Sequence, residues 1–172
     1  MNEVLMNIHA RRSVRAFADK AIPRAILQDI LQAGLSAPSA MNNQLWQLTA
    51  VSNPDRLTGL QHAVQTVLNR PDYGKFYGAA TLVLVSVPRD YAHGIADTAC
   101  VLENIFLAAC SLGVGSVWIN QFKNICDEPV MRQALTACQV PENHVIWGAA
   151  ALGYGEPKSA TRENKGKLIY ID

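Results

Sequence analysis

Apolar and polar positions along the chain alternate between helical and strand periods. A first helix is expected from about Glu3 to Ala10, running directly into the basic cluster Arg11-Arg12-Ser13-Val14-Arg15. A second is started by Pro23, whose fixed φ suits a first helical turn, and stopped near Gly34, with Ile26, Leu27, Ile30 and Leu31 as its apolar stripe. After the polar loop Ser36 to Gln44, the run Trp46 to Val51 reads as a strand, and Asn53-Pro54 caps a helix carrying Leu57, Leu60, Val64, Val67 and Leu68. Thr81 to Val87 is β-branched and apolar on both faces, as a central strand inside a sheet requires. The segment Ile95 to Leu112 is helical in period yet apolar around most of its circumference, through Ala96, Ala99, Cys100, Leu102, Ile105, Phe106, Ala108 and Ala109. Such a helix cannot face water, so it belongs in the core, in a subunit interface, or in both. Gly113 ends it, Val114 to Ile119 reads as a strand, Asp127 and Pro129 start a short helix, and Val145 to Leu152 is another strand. The tail from Gly153 is polar and basic, then closes on the alternating Leu168-Ile169-Tyr170-Ile171, a strand in search of a sheet edge, a partner's edge being one destination.

Composition narrows the picture. No repeat, low-complexity tract or Gly/Ser linker divides the 172 residues, and 49% hydrophobic content suffices for one core, so residues 1–172 are expected to form a single domain. Charged residues make up 17%, against about 25% in an average soluble domain, which suggests that a partner subunit covers part of the surface. A net charge of +1 gives no general attraction to nucleic acid or to an anionic membrane. No basic leader followed by an apolar run opens the chain, and its apolar stretches fall short of the ~20 residues that span a bilayer, so a cytoplasmic location is expected. Cys100, Cys110, Cys126 and Cys138 lack C-x-x-C spacing and are read as reduced thiols, while His9, His62, His93 and His144 are scattered, so no metal is expected.

Three segments are polar or basic at the ends of expected elements. In Arg11 to Arg15, three guanidiniums within five residues repel one another unless an anion lies between them, and arginine forks match phosphate oxygens; a solvated basic turn is the alternative. Ala37-Pro38-Ser39-Ala40-Met41-Asn42-Asn43-Gln44-Leu45-Trp46 offers small residues and carboxamides that suit the edge of a heteroaromatic ring, although Asn and Ser also simply make turns. Leu112-Gly113-Val114-Gly115-Ser116-Val117-Trp118-Ile119-Asn120-Gln121 contains Gly-x-Gly, but Trp118 stands where a dinucleotide fingerprint wants its third glycine, and the motif leads from helix to strand rather than the reverse. Phosphate-loop and Gly-x-Ser-x-Gly motifs are absent from the sequence, and no catalytic nucleophile stands out.

Taken in order, these segments resemble the nitroreductase family of flavoproteins over nearly the whole chain. The resemblance rests on Arg11-x-Ser13-x-Arg15, the Pro38-Ser39-x-x-Asn42-x-Gln44-x-Trp46 loop, the long apolar helix ending in Leu112-Gly113-x-Gly115-Ser116, and Leu152-Gly153-Tyr154 followed by basic residues. It implies an α+β, nitroreductase-like three-layer fold with a central mixed β-sheet flanked by helices. It also implies an intertwined homodimer with C-terminal tail exchange, residues about 153–172 packing on the partner. FMN is the implied cofactor, NAD(P)H the transient reductant, and small electron-poor molecules such as nitroaromatics or quinones the acceptors.

Residue by residue, the resemblance implies that Arg11 binds the FMN phosphate with Ser13 nearby, that Arg12 neighbours the phosphate or ribityl chain, and that Arg15 lies by the pyrimidine side of the flavin. Pro38, Ser39, Ala40 and Asn42 would come from the other subunit, with Gln44 close to the ring or supporting that loop. Trp118, Ile119 and Asn120 match the stretch whose backbone passes the flavin N5 and O4 edge. Lys158 and Arg162 are candidates for further phosphate contacts, with Lys165 as a substitute, and Lys75 is a weaker match to a lysine near the pyrimidine ring. No acid or base side chain is required in the implied ping-pong hydride transfer, because the flavin carries the chemistry. Larger relatives insert a helical excursion where this chain has only Pro88-Arg89-Asp90-Tyr91-Ala92-His93, which implies a more open pocket. Rival readings are another flavin chemistry on the same fold, such as dehalogenation or enoate reduction, a non-catalytic FMN holder, and a plain dimeric domain whose arginines bind incidental anions.

Overall fold

Four strands, β1 (Gln47–Val51), β2 (Thr81–Pro88), β3 (Gly115–Ile119) and β4 (His144–Gly153), lie in the order β1-β2-β4-β3 in this computed structural model, which describes residues 1–159 and 163–172. Every ladder between them is antiparallel. The expected mixed sheet is therefore corrected: the crossover after β2 does leave β2 and β3 running the same way, but β4 inserts between them, antiparallel to both. Among the described residues, parallel pairing is confined to an isolated bridge, Ser13 to Ser116, where the N-terminal segment meets the outer edge of β3.

Five helices flank the sheet: α1 (Glu3–Ala10), α2 (Arg24–Leu35), α3 (Pro54–Leu68), α4 (Gly94–Ser111) and α5 (Pro129–Ala137). Local chemistry sets their ends. The Asn53 side chain accepts from Arg56 N–H at the start of α3, as its position before Pro54 predicts. Gly113, at φ +70°, takes the left-handed turn after α4 that lets Val114 N–H reach back to the Ala109 carbonyl at 2.8 Å. At α5 the N-cap is Glu128 rather than Asp127, because the Asp127 carboxylate is drawn to Arg89 and Arg132.

Alternation along β2 sorts the core into two layers. Leu82 and Leu84 face α3 and α5, with Leu60, Val64, Met131, Leu135 and Phe122 around them. Val83 and Val85 face α2 and α4, against Ile30, Val101, Leu102, Ile105 and Phe106. β2 is central and buried on both faces, as its unbroken apolar sequence requires. Contrary to the expectation that no stretch approaches membrane-spanning length, α4 has 18 residues and mean hydropathy 1.3, enough by length and composition alone; here one side of it packs on the sheet and on α2. Its outward side keeps Ile95, Ala96 and Cys100 exposed, and α1 buries no residue at all. The tail segment Leu168 to Ile171 forms no strand on its own chain and stands exposed.

Candidate functional site

The basic segment leaves α1 and runs along the edge of β3. Val14 N–H donates to the Ser116 carbonyl at 2.9 Å, and buried Val14 sits where Gly115 has no side chain; a Cβ there would lie 2.9 Å from Val14 Cγ2. This contact fixes Ser13 beside Ser116 and sends Arg11 and Arg15 to either side. Arg11 is 3.9 Å from the exposed Glu103 carboxylate on α4, too loose a pair to engage the guanidinium fully. Arg12 turns back to donate to the His9 and Arg11 carbonyls at 2.7 and 2.8 Å, and Arg15 is exposed. Further on, Phe17 N–H donates to the Tyr77 carbonyl at 3.1 Å, bringing the end of this segment to the loop that carries exposed Lys75. That loop is strained: Phe76 and Tyr77 both have positive φ, 45° and 64°. Beside it, burial first and then neighbouring Tyr77 push the Tyr73 phenol up to about 12.

β3 carries Trp118 and Ile119 at its end, and Asn120 follows directly after it. Ile119 is buried among the residues facing α3 and α5, whereas Trp118 and Asn120 are exposed. The Trp118 ring lies over Gly148 and beside Phe106, at 6.2 Å between ring centroids; a Cβ on Gly148 would come within 2.6 Å of it. Gly148 is thus the residue that leaves room for the indole, and nothing in the sequence marked it. Lys158 follows β4 at the start of the tail and is exposed, as is Lys165; Arg162 lies outside the described residues.

The carboxamide loop is a short 3-10 turn, Ala40–Asn42, with three non-glycine residues in the left-handed region: Met41, Asn42 and Gln44, at φ 53°, 56° and 49°. Gln44 N–H donates to Ser39 Oγ at 3.0 Å, and Gln44 Nε2 donates to Asn42 Oδ1 at 2.7 Å, so Gln44 supports the loop from within. Pro38, Asn42 and Gln44 are exposed; Ser39 and Ala40 are half-buried. Two residues that sequence reasoning missed fasten this loop to α4. Ala40 N–H donates to Asp97 Oδ1 at 3.1 Å, and Tyr91 Oη donates to Asp97 Oδ2 at 2.6 Å. The bond to Asp97 holds the Tyr91 phenol above its usual range, while a side-chain hydrogen bond from Asn43 pulls the other way. The available signal was a lone carboxylate in the first turns of an otherwise apolar helix.

Within one chain the two polar halves do not meet. The carboxamide loop is fixed at Asp97 near the N-terminus of α4, whereas the arginine segment approaches α4 at Glu103, just after α1, where Asn7 Nδ2 donates to the Leu107 carbonyl at 2.9 Å. From Asp97 to Glu103 is ~9 Å along a helix rising 1.5 Å per residue.

Fold and site define a class: an α+β protein whose antiparallel sheet carries a basic segment along one edge and a strained carboxamide loop at one end of its central helix. Residues 8–154 match the nitroreductase family, and the chain belongs to it. It is similar to the FMN-bound nitroreductase of Bacteroides fragilis, at 40% identity, with all of both chains covered and a TM-score of 0.90. It is similar also to the FMN-bound nitroreductase of Desulfitobacterium hafniense, at 25% identity, again with all of both chains covered and a TM-score of 0.89. A protein of Archaeoglobus fulgidus, provisionally named NADH dehydrogenase/NAD(P)H nitroreductase, is 32% identical over 158 residues, 90% of this chain and 86% of that protein.

Proposed function

We propose that this chain is an FMN-dependent oxidoreductase that takes reducing equivalents from NAD(P)H and passes them to small electron-poor acceptors such as nitroaromatics or quinones. The observation that carries the reading is the Ser13 to Ser116 bridge. It lays Arg11, Ser13 and Arg15 along the strand that continues into Trp118, Ile119 and Asn120, so that cations suited to a phosphate precede a strand end suited to a flat ring. The donor set fits FMN: Arg11 has only a distant, exposed carboxylate beside it, and among the described residues Arg15 has no ion-pair partner. Likeness over the whole chain to two proteins crystallised with FMN supports the same assignment.

In this reading Arg11, with Ser13 and Arg12 beside it, holds the phosphate, and Lys158 or the neighbouring tail cations Arg162 and Lys165 add to that charge. Arg15 and Lys75 lie toward the pyrimidine side, where a fixed cation stabilises the negative charge of a reduced ring. Trp118, Ile119 and Asn120 line one edge. FMN, when bound, supplies the hydride chemistry. The protein's own work is to hold the ring, leave one face open to nicotinamide and acceptor in turn, and require no side-chain acid or base.

The separation of the two polar halves favours a homodimer in which Pro38, Ser39, Ala40, Asn42 and Gln44 complete the flavin site of the partner. Exposed Val4, Leu5, Met6 and Ile8 on α1, and Ile95 on α4, supply apolar surface for such an interface. A groove of about 540 Å³ runs between α2 and edge strand β1, lined by Leu27, Leu31, Leu35, Leu48 and Ala50, and the exposed Leu168 to Ile171 of a second copy suits it as an added strand. The four free cysteines and the need for NAD(P)H suit the reducing cytoplasm.

The test is the visible spectrum of the purified protein under anaerobic NADPH or NADH. The expected result is an oxidised-flavin spectrum that bleaches and recovers on adding a nitroaromatic or quinone. A flavin spectrum that neither nucleotide bleaches would leave a non-catalytic FMN holder, and a protein that takes up no FMN would end the proposal.

A further inference from the structure

We infer that Asp97, oriented by Tyr91, is a positioning residue that holds the carboxamide loop in its flavin-lining conformation, so that cofactor affinity depends on a carboxylate that does not touch the cofactor. The inference rests on the proposed reading of the loop as part of a flavin site.

Asp97 is 4% exposed, in a helix whose other buried positions are almost all apolar. Burying a carboxylate is unfavourable unless its oxygens are engaged. Both are: Oδ1 accepts from Ala40 N–H and Oδ2 from Tyr91 Oη, and the N-terminal end of α4 favours the negative charge. Neither bond joins α4 to a strand of the sheet or to α2. One goes to the backbone of the loop and the other to a phenol in the connection before α4, whose ring packs against the core and so anchors the carboxylate. The loop needs such a hold, because Met41, Asn42 and Gln44 occupy left-handed conformations that non-glycine residues leave when unrestrained. Its internal bonds, Gln44 N–H to Ser39 Oγ and Gln44 Nε2 to Asn42 Oδ1, shape the loop but do not fix it to the fold. Asp97 does, and a buried acid with one oxygen on a functional loop and the other on an anchoring phenol is better explained by positioning than by stability, since an apolar residue of similar size would pack in the core at less cost.

The experiment compares wild-type, Asp97→Ala, Asp97→Asn and Tyr91→Phe for FMN dissociation constant, the visible circular dichroism of bound flavin, and amide exchange at Ala40 in the flavin-free protein, with far-ultraviolet circular dichroism confirming the fold. Asp97→Ala is expected to weaken FMN binding about 10- to 100-fold, the range for a lost charge-assisted hydrogen bond. Asp97→Asn, which keeps an oxygen acceptor for Ala40, should recover part of that loss. Tyr91→Phe should weaken binding by less than Asp97→Ala and still alter the flavin dichroism. Wild-type affinity and dichroism in a folded Asp97→Ala protein would overturn the inference, and if that variant does not fold, the same result for Tyr91→Phe would do so. Failure of the wild-type protein to bind FMN would refute the flavin site itself; Ala40 exchange then decides the clamp separately, faster exchange in Tyr91→Phe upholding it and unchanged exchange removing it.

Discussion

The two faces of the sheet are finished in different ways. Toward α3 and α5 the chain completes its own core: Leu60, Val64, Phe122, Met131, Leu135 and Ile146 are wholly buried, and the ion pairs of Asp127 with Arg89 and Arg132 close the rim. Toward α2 and α4 only the inner side is finished. Ile105 and Leu102 are buried, but Ile95 is 51% exposed on the outer side of α4, and Val4 and Met6 on α1 are 66% and 57% exposed. The arginine segment runs along the edge of β3 next to this open side, and the carboxamide loop is fastened to α4. One face is finished within the chain, and the other leaves large apolar side chains exposed.

Substitutions that hit each face should therefore separate stability from assembly. Phe122→Ala removes a ring that is fully buried and stacked on Phe76 at 5.9 Å, and should cost ~3–5 kcal/mol of unfolding free energy. Denaturant titration measures it, and the dimer constant of whatever remains folded should not move. Met6→Glu with Ile8→Glu, on α1, should do the reverse. Surface changes alter protomer stability by about 0.5 kcal/mol or less, yet two charges buried at an interface should weaken dimerisation about 100-fold, close to 2.7 kcal/mol. Sedimentation velocity across a concentration series checks this, and FMN should be lost in parallel with the dimer. A dimer that survives both charges would mean that α1 is simply a wet helix and that the two faces do not differ in purpose.

How far each face could be read from sequence follows from the same difference. Strand β2 announced itself because a strand buried on both sides is apolar without interruption, and α4 did because its circumference is. Helix ends were legible at Asn53-Pro54 and Gly113, where the backbone demands one residue type. The sheet's direction was not legible: a helix between β2 and β3 says that they run alike, but not that β4 comes between them, since strand order depends on contacts distant in sequence. At the site, the arginine segment and the loop stood out by composition, and the resemblance assigned roles that geometry within one chain does not test. Asp97 and Gly148 escaped because each acts through a residue far away in sequence, and Tyr91 because its role follows only from that of Asp97. Asp127 was misplaced as a helix start because its partners, Arg89 and Arg132, were not in view.

Gly148→Ala tests the seam between the faces. Its added Cβ would meet the Trp118 ring at 2.6 Å and Leu102 Cδ1 at 2.9 Å. Overpacking of this kind costs ~1–3 kcal/mol, and the lower end is expected because Trp118, 37% exposed, has room to swing outward. The sharper readout is Trp118 fluorescence together with FMN affinity, since the indole leaves the strand end proposed to line the flavin. A stability loss with unchanged FMN affinity would place Trp118 in packing alone.

The smallest effect belongs to the closed face and depends on pH. Hydrogen bonding from Arg89 first, and from Arg132 as well, holds the Asp127 carboxyl below its ordinary value of 3.8, partly opposed by its slight burial. A carboxyl with a lower folded than unfolded pKa binds protons more readily in the unfolded chain. Its contribution is therefore complete above the unfolded value and is lost as pH falls through the folded one. Because the Asp127 side chain is 56% exposed, solvent screening keeps the contribution small, within the ~0–1 kcal/mol of surface ion pairs. Asp127→Asn should thus lower the melting temperature slightly near neutrality, and the difference from wild type should close in strong acid. His144 does not confuse the assignment. Burial first holds its ring below 6.5, so its loss begins as pH falls past 6.5, well before Asp127 takes up a proton, and it is shared by wild type and variant. A difference that persists unchanged to strong acid would mean that Asp127 acts through the shape of the turn before α5 and not through its charge.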